Sequence, residues 1–214
     1  QYEQEKRNLL LEFYLNYAKE FSNSRLEAMA GYTYQDWKTT NKNFNTTNYD
    51  GDYIVNEPTY PTTMDQNTLI SFFGRLNYSL MNKYLLTATV RYDGSSRFSE
   101  ENRWGLFPSV ALAWRISEEG FLKDVESLSN LKLRLGYGIT GQQEIENYGY
   151  IATYSLSDLT AQYQLGNNFY QAWRPNGYDN NRKWEQTTTY NVGLDYGFIN
   201  NRLYGSVDYY YKDT

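Results

Sequence analysis

With neither cysteine nor histidine among its 214 residues, this chain must do any chemistry through carboxylates, hydroxyls, cations and aromatic rings. Their absence excludes a disulfide framework, a Cys/His zinc site, a Cys or His nucleophile and a Ser-His-Asp triad within these residues. The carboxylates Glu118-Glu119, or Glu144 with Glu146, would suit glycoside hydrolysis only if two carboxyls faced each other across a sugar at a set distance. Adjacent glutamates in loops do not establish that, and they read as solvated charge. Asp50-Gly51-Asp52 flanks a glycine turn with carboxylates but lacks the ligand series of a calcium loop, so no metal site is assigned. Trp173 and Tyr178 are the candidate ligand-binding residues, because flat rings bury the apolar face of a pyranose. Trp184, close by, reads as loop packing or as part of an aromatic girdle.

The elements that must hold these residues alternate with period two. Leu9, Leu11, Phe13, Leu15 and Tyr17 share one face, and Leu26, Ala28, Ala30, Tyr32 and Tyr34 repeat the pattern after a short turn. Tyr84, Leu86, Ala88, Val90 and Tyr92 form the cleanest stripe, opposite Thr87, Thr89, Arg91 and Asp93. Similar stripes run through 70–80, 104–116, 131–139, 190–198 and 203–211, giving eight candidate strands. Each is near the roughly 9 to 11 residues with which a tilted strand crosses a bilayer. Tyrosine closes both ends of the cleanest stripe, as aromatic residues do at the two interfaces of a membrane barrel.

Connections alternate between short and long, with residues 38–67 and 140–186 expected as long extracellular loops. That asymmetry belongs to outer-membrane barrels rather than soluble sandwiches. Glu12, Arg75, Arg91, Arg115, Lys132, Arg134, Asp195 and Asp208 fall on the polar faces, where they suit a wet interior and not a dry core. Within RYDGSSRFSEENRWGLFPS (residues 91–109), Asp93 to Arg103 reads as an outside loop, turned through Gly94, and Trp104 as the boundary between water and lipid. No run approaches the roughly 20 apolar residues of a membrane helix. The net charge of −5, without a clustered basic stripe, argues against nucleic acid. The first and last residues read as mid-element, so a piece of a longer polypeptide is expected.

The stretches RYDGSSRFSEENRWGLFPSVALAWRISEEGFL, LKLRLGYGITGQQEI and KWEQTTTYNVGLDYGFINNRLYGSVDYYYKDT, spread over about residues 84–214, resemble the barrel of SusC/RagA-type TonB-dependent outer-membrane transporters. Gln142 departs from the asparagine expected after Thr140-Gly141, and Asp179-Asn180-Asn181-Arg182 lacks the expected Pro and Leu. The resemblance implies an all-β fold, an antiparallel transmembrane β-barrel of which these are about eight consecutive strands out of 22. It implies residence in the bacterial outer membrane, import of oligosaccharide or peptide, and a SusD-like surface lipoprotein as lid. It also implies coupling to the TonB complex through an N-terminal part with a plug that these residues do not include. Asp93 and Arg97 then become candidates for contact with lid or plug. No cofactor and no enzymatic activity are expected. A β-rich carbohydrate-binding surface module, or an outer-membrane enzyme, stand as alternatives.

Overall fold

The computed structural model describes residues 2–47, 49, 51, 54–56, 58, 60–122, 125–158 and 160–214. Eight strands make one antiparallel sheet in chain order: β1 (Glu3–Glu20), β2 (Ser24–Lys42), β3 (Thr62–Leu80), β4 (Tyr84–Ser95), β5 (Trp104–Arg115), β6 (Leu128–Gln142), β7 (Glu185–Phe198) and β8 (Leu203–Asp213). β1 and β8 are the edges of this sheet. No helix of the described residues is long and apolar enough to cross a membrane, which has no bearing on strands.

Register carries the alternation from strand to strand. Phe13 pairs with Tyr32 and Tyr32 with Phe72; Phe72 pairs with Tyr92 and Tyr92 with Leu106. Further along, Leu112 pairs with Leu135, Leu135 with Val192 and Val192 with Tyr209. Directly opposed residues lie on the same face, so one face is apolar from β1 to β8. A one-residue slip anywhere would turn that stripe to the polar side. Most of these side chains are exposed, Leu112 by 48% and Val207 by 63%, although they are the most apolar in the chain. In water such a face would be an aggregation surface; against lipid it is the solvated one.

Aromatic rings border this face. At the long-loop end Tyr92 stacks on Trp104 with ring centroids 4.8 Å apart, and Tyr32 meets Phe72 at 5.2 Å. Tyr137, Tyr190 and Tyr211 continue the border over β6 to β8. At the short-turn end Tyr84 stacks on Trp114. The eight residue-to-residue steps from Tyr84 to Tyr92, at about 3.3 Å each and a tilt near 40°, give an apolar band about 20 Å tall, close to the roughly 25 Å of outer-membrane barrels.

Three connections differ in their bounds from the sequence expectation. β2 runs on to Lys42 and β3 begins at Thr62, so the first long connection is 43–61 rather than 38–67. The second is 143–184 rather than 140–186, because β6 reaches Gln142 and β7 starts at Glu185. Alternation reports burial, and past the aromatic border the ladder continues with polar side chains. There Asp36 accepts hydrogen bonds from Gln66 Nε2 (2.9 Å) and Thr68 Oγ1 (2.8 Å) across the strand pair. β4 likewise continues to Ser95, placing Asp93 and Gly94 in a strand and leaving 96–103, with a 3-10 turn at Glu100–Asn102, as the connection.

Gly94 is therefore not a turn glycine. It pairs with Trp104 across the ladder, and a Cβ there would lie 2.8 Å from three indole carbons. Gly94→Val is expected to push the indole off Tyr92 and cost about 1 to 2 kcal/mol, as overpacking does. The loss would show as a lower temperature for the heat-dependent mobility shift of the folded barrel and as a changed tryptophan emission. The glycine-free hairpins at the short-turn end take left-handed conformations at Met81 and Asn82 (φ 52° and 55°) and at Ile199, Asn200 and Asn201 (φ 53°, 54° and 59°). Asparagine tolerates that region well, whereas Ile199 is β-branched and strained there.

Candidate functional site: the lumen wall and the loop base

The face opposite the apolar one carries two constellations. On β6, β7 and β8 an ion network crosses three strands. Asp195 accepts from Lys132 Nζ (2.9 Å) and from Arg134 (2.9 Å), and Arg134 also reaches Asp208 at 3.0 Å. Gly193 lies between Arg134 and Asp208 in register. A Cβ at Gly193 would sit 2.5 Å from Asp208 Oδ1 and 2.7 Å from the guanidinium. Its missing side chain is what lets Arg134 cross a whole strand to its second carboxylate.

Nearer the long loops, Arg91 Nε donates to both oxygens of Asp93 (2.9 Å each) and its terminal nitrogen to Ser71 Oγ (2.9 Å). Asp93 is thus buried and paired within the wall, not presented from a loop. Arg97 donates to the Gln143 carbonyl at 3.2 Å, which ties the 96–103 connection to the start of the long one. Both candidate contact residues face partners inside the chain.

Next to them lies a cluster that the period-two pattern does not reveal. Phe98, Phe107 and Trp184 are the buried hydrophobic residues of the described chain, with Leu69, Ile139 and Ile145 packed around them. Trp184 stands 5.1 Å from each phenyl ring, centroid to centroid. Pairing of β5 with β6 stops at Ser109↔Gly138, and beyond it the Phe107 ring comes so close to Gly105 and Gly141 that a Cβ on either would overlap it. The loops are sewn down around this core. Trp184 Nε1 donates to the Arg103 carbonyl (2.9 Å), Ser99 Oγ to the Asn180 carbonyl (2.9 Å), and Asn147 Nδ2 to Asp65 (2.7 Å).

Trp173 and Tyr178 are both exposed, by 67% and 54%, beyond this anchored base. Trp173 sits in a short strand, Trp173–Pro175, paired with Tyr154–Leu156. Their rings do not pair with each other among the described residues. Asp50 and Asp52 lie outside the described residues. No group of three metal-ligating side chains occurs among those described.

Of the glutamates, Glu119 is structural. It sits in the 116–127 connection at the short-turn end, after a 3-10 turn at Ile116–Glu118. Its carboxylate accepts from Tyr84 Oη (2.6 Å), Trp114 Nε1 (3.0 Å) and Lys83 Nζ (3.1 Å). These donors, Tyr84 foremost, then Trp114 and Lys83, hold its carboxyl down to about 2 from the ordinary 4.5. A depressed carboxyl stabilises the fold fully above its unfolded value, and that contribution disappears as pH falls from about 4.5 to about 2. Glu119→Gln should therefore lower stability at pH 7 and remove part of the acid sensitivity between those values. Urea unfolding in detergent at pH 7 and near pH 2 checks this, and equal pH dependence in both proteins would contradict it.

An antiparallel meander with one lipid-facing side, bordered by aromatic rings and backed by a charged side, is the wall of an outer-membrane β-barrel. The chain belongs to the TonB dependent receptor-like, beta-barrel family, whose sequence profile matches residues 1–214. It is 46% identical over 218 residues to the TonB-dependent receptor SusC of Bacteroides thetaiotaomicron, covering 99% of this chain and 21% of that protein. It is 36% identical over 212 residues to the TonB-dependent receptor P39 of Formosa agariphila, covering 95% of this chain and 20% of the relative. Among solved structures, the RagAB peptide transporter superimposes with a TM-score of 0.74 at 25% identity, over 98% of this chain and 23% of the matched one. The ferric enterobactin receptor PfeA shares the fold alone, with a TM-score of 0.55 at 15% identity, over 98% of this chain and 27% of that one. The chain spans about a fifth of the length of the curated relatives it matches.

Proposed function

We propose that these eight strands are part of the wall of a larger barrel, of 22 strands, in an outer-membrane importer that takes up oligosaccharide or peptide under TonB control. The observation that carries this is the register-locked apolar face backed by a charged wall, in a chain 46% identical to a TonB-dependent receptor. The open edges at β1 and β8 support it, since unpaired edge groups in lipid cost several kcal/mol each and have to find further strands. In this reading the 43–61 and 143–184 connections face the exterior and the short turns the periplasm. A SusD-like lipoprotein closes the outer mouth, and a plug moved by TonB fills the lumen.

The chain's part is positional and involves no covalent step. The ion network and the Arg91–Asp93 pair offer a polar, already satisfied surface along which a plug can seat and leave. The anchored loop base holds Trp173 and Tyr178 toward the mouth, where aromatic planes suit sugar rings. The exposed rings of Trp173 and Tyr178 favour glycan over peptide.

Uptake by cells carrying the full-length gene tests this, using labelled oligosaccharides and oligopeptides with and without a protonophore. Proton-motive-force-dependent accumulation of one class, lost on gene deletion, is the expected result. Uptake that survives deletion, or a protein that fractionates away from the outer membrane, would overturn the reading.

A further inference from the structure

On the apolar face, at the short-turn end, the sheet carries a groove of about 320 Å³ lined by Tyr78, Leu86, Leu112 and Leu133 with the rings of Tyr84 and Trp114. Here both rings are fixed, because Tyr84 Oη and Trp114 Nε1 donate to the same oxygen of Glu119. The groove is therefore shaped before anything enters it, which lowers the ordering cost of binding.

Behind the polar tips of the two bordering rings lies a dipolar pair. Glu119 Oε1 takes the two ring donors and Oε2 takes Lys83 Nζ. A carboxylate offers about four lone-pair sites, so one acceptor position on Oε2 stays open. An ammonium has three donors, and Lys83 Nζ has no second protein partner among the described residues, so two donors remain. A cation and an anion 3.1 Å apart, each with capacity left, bonded to the ring tips that border an apolar groove, match a headgroup that itself carries phosphate and ammonium. A purely anionic headgroup would meet the Glu119 charge.

We propose that this groove is a binding site for one zwitterionic phospholipid of the phosphatidylethanolamine type. An acyl chain lies along Leu86, Leu112 and Leu133, the phosphate on Lys83 and the ammonium on Glu119. With the short turns at the periplasm, the site lies in the phospholipid leaflet of the outer membrane. The inference needs the membrane-facing side of the sheet and that leaflet, and its readout is independent of uptake.

The test is native mass spectrometry of the full-length protein, purified in mild detergent, delipidated and offered phosphatidylethanolamine or phosphatidylglycerol. One retained phosphatidylethanolamine, at least tenfold above phosphatidylglycerol, is expected. Leu112→Trp fills the groove from a lipid-exposed position, and Lys83→Ala removes the phosphate ligand; each should cut retention at least tenfold. Leu11→Trp, on the same face of β1 and in register with Tyr34 and Ile70, none of which lines the groove, should leave it unchanged. Heat-dependent electrophoretic mobility confirms that each barrel is folded. Equal retention of both lipids, or wild-type retention in a folded Leu112→Trp barrel, would mean annular lipid only and would overturn the site.

Discussion

Trp184→Ala should release the base of the long connection while leaving the sheet standing. The side chain is buried, packs between Phe98 and Phe107, and donates to the Arg103 carbonyl at 2.9 Å. Truncating a buried aromatic costs about 3 to 5 kcal/mol, and here that cost falls on two loops rather than on the ladder. The lipid-facing ladder does not pass through the cluster, so the barrel should keep its heat-dependent mobility. Limited proteolysis should cut the variant within 143–184 at least tenfold faster, and hydrogen exchange should rise in 96–103 and 179–184. Trp184→Phe keeps the ring contacts without the donor and should fall between the two. Unchanged protease resistance in the alanine variant would mean that the hydrogen bonds from Ser99 and Asn147 suffice alone, and the cluster would lose its assigned role. Under the proposed import function, with Trp173 and Tyr178 as the proposed sugar-stacking rings, the alanine variant should also import poorly, because those rings would no longer be held by an ordered base.

The lipid-facing half of this fold is legible in the sequence itself, because a membrane imposes its chemistry on every second residue. Leu86, Ala88 and Val90 stand out since nothing polar is tolerated beside them on that face. Strand ends are a different matter. Beyond the aromatic border water surrounds both faces, so Thr39, Thr40 and Asn41 can extend a ladder as well as valine could, and the period-two signal fades while the strand does not. Gly94 misleads for a related reason: a glycine after aspartate suggests a turn, but its need for space comes from Trp104, ten residues away and adjacent only through register. The Phe98–Phe107–Trp184 cluster is hidden more completely. Phe107 occupies a polar-face position, Phe98 sits among serines and glutamates, and Trp184 follows Arg182-Lys183. Only the end of the β5–β6 pairing and the bare Gly105 and Gly141 make room for them together. Asp93 and Arg97 are read from the sequence as candidates for contact with lid or plug, and within these residues they bond to Arg91 and Gln143, partners that the shared strand face and the loop packing bring to them.

Arg134→Met is expected to weaken the wall itself. The substitution keeps most of the aliphatic stem but leaves Asp195 with Lys132 alone and removes the cation beside Asp208. Side-chain exposures of 21% to 39% across Arg134, Asp195 and Asp208 mean solvent screens the network, so the loss should be about 2 kcal/mol rather than the 3 to 5 kcal/mol of a fully buried broken pair. Gly193→Val separates the two halves of the network, since its side chain occupies the path from Arg134 to Asp208 and spares Lys132–Asp195. It should reproduce part of the loss without changing any charge. A double-mutant cycle between Arg134→Met and Asp208→Asn, read by urea unfolding in detergent, should return a coupling of about 1 kcal/mol, shrinking as salt is raised. Strict additivity would show that the contact across Gly193 contributes nothing, and that Arg134 acts through Asp195 alone. Coupling that persists in high salt would instead mean that water reaches this part of the wall less than its exposure suggests. In either case Lys132–Asp195 remains as the internal reference, because both of its partners lie in directly opposed ladder positions.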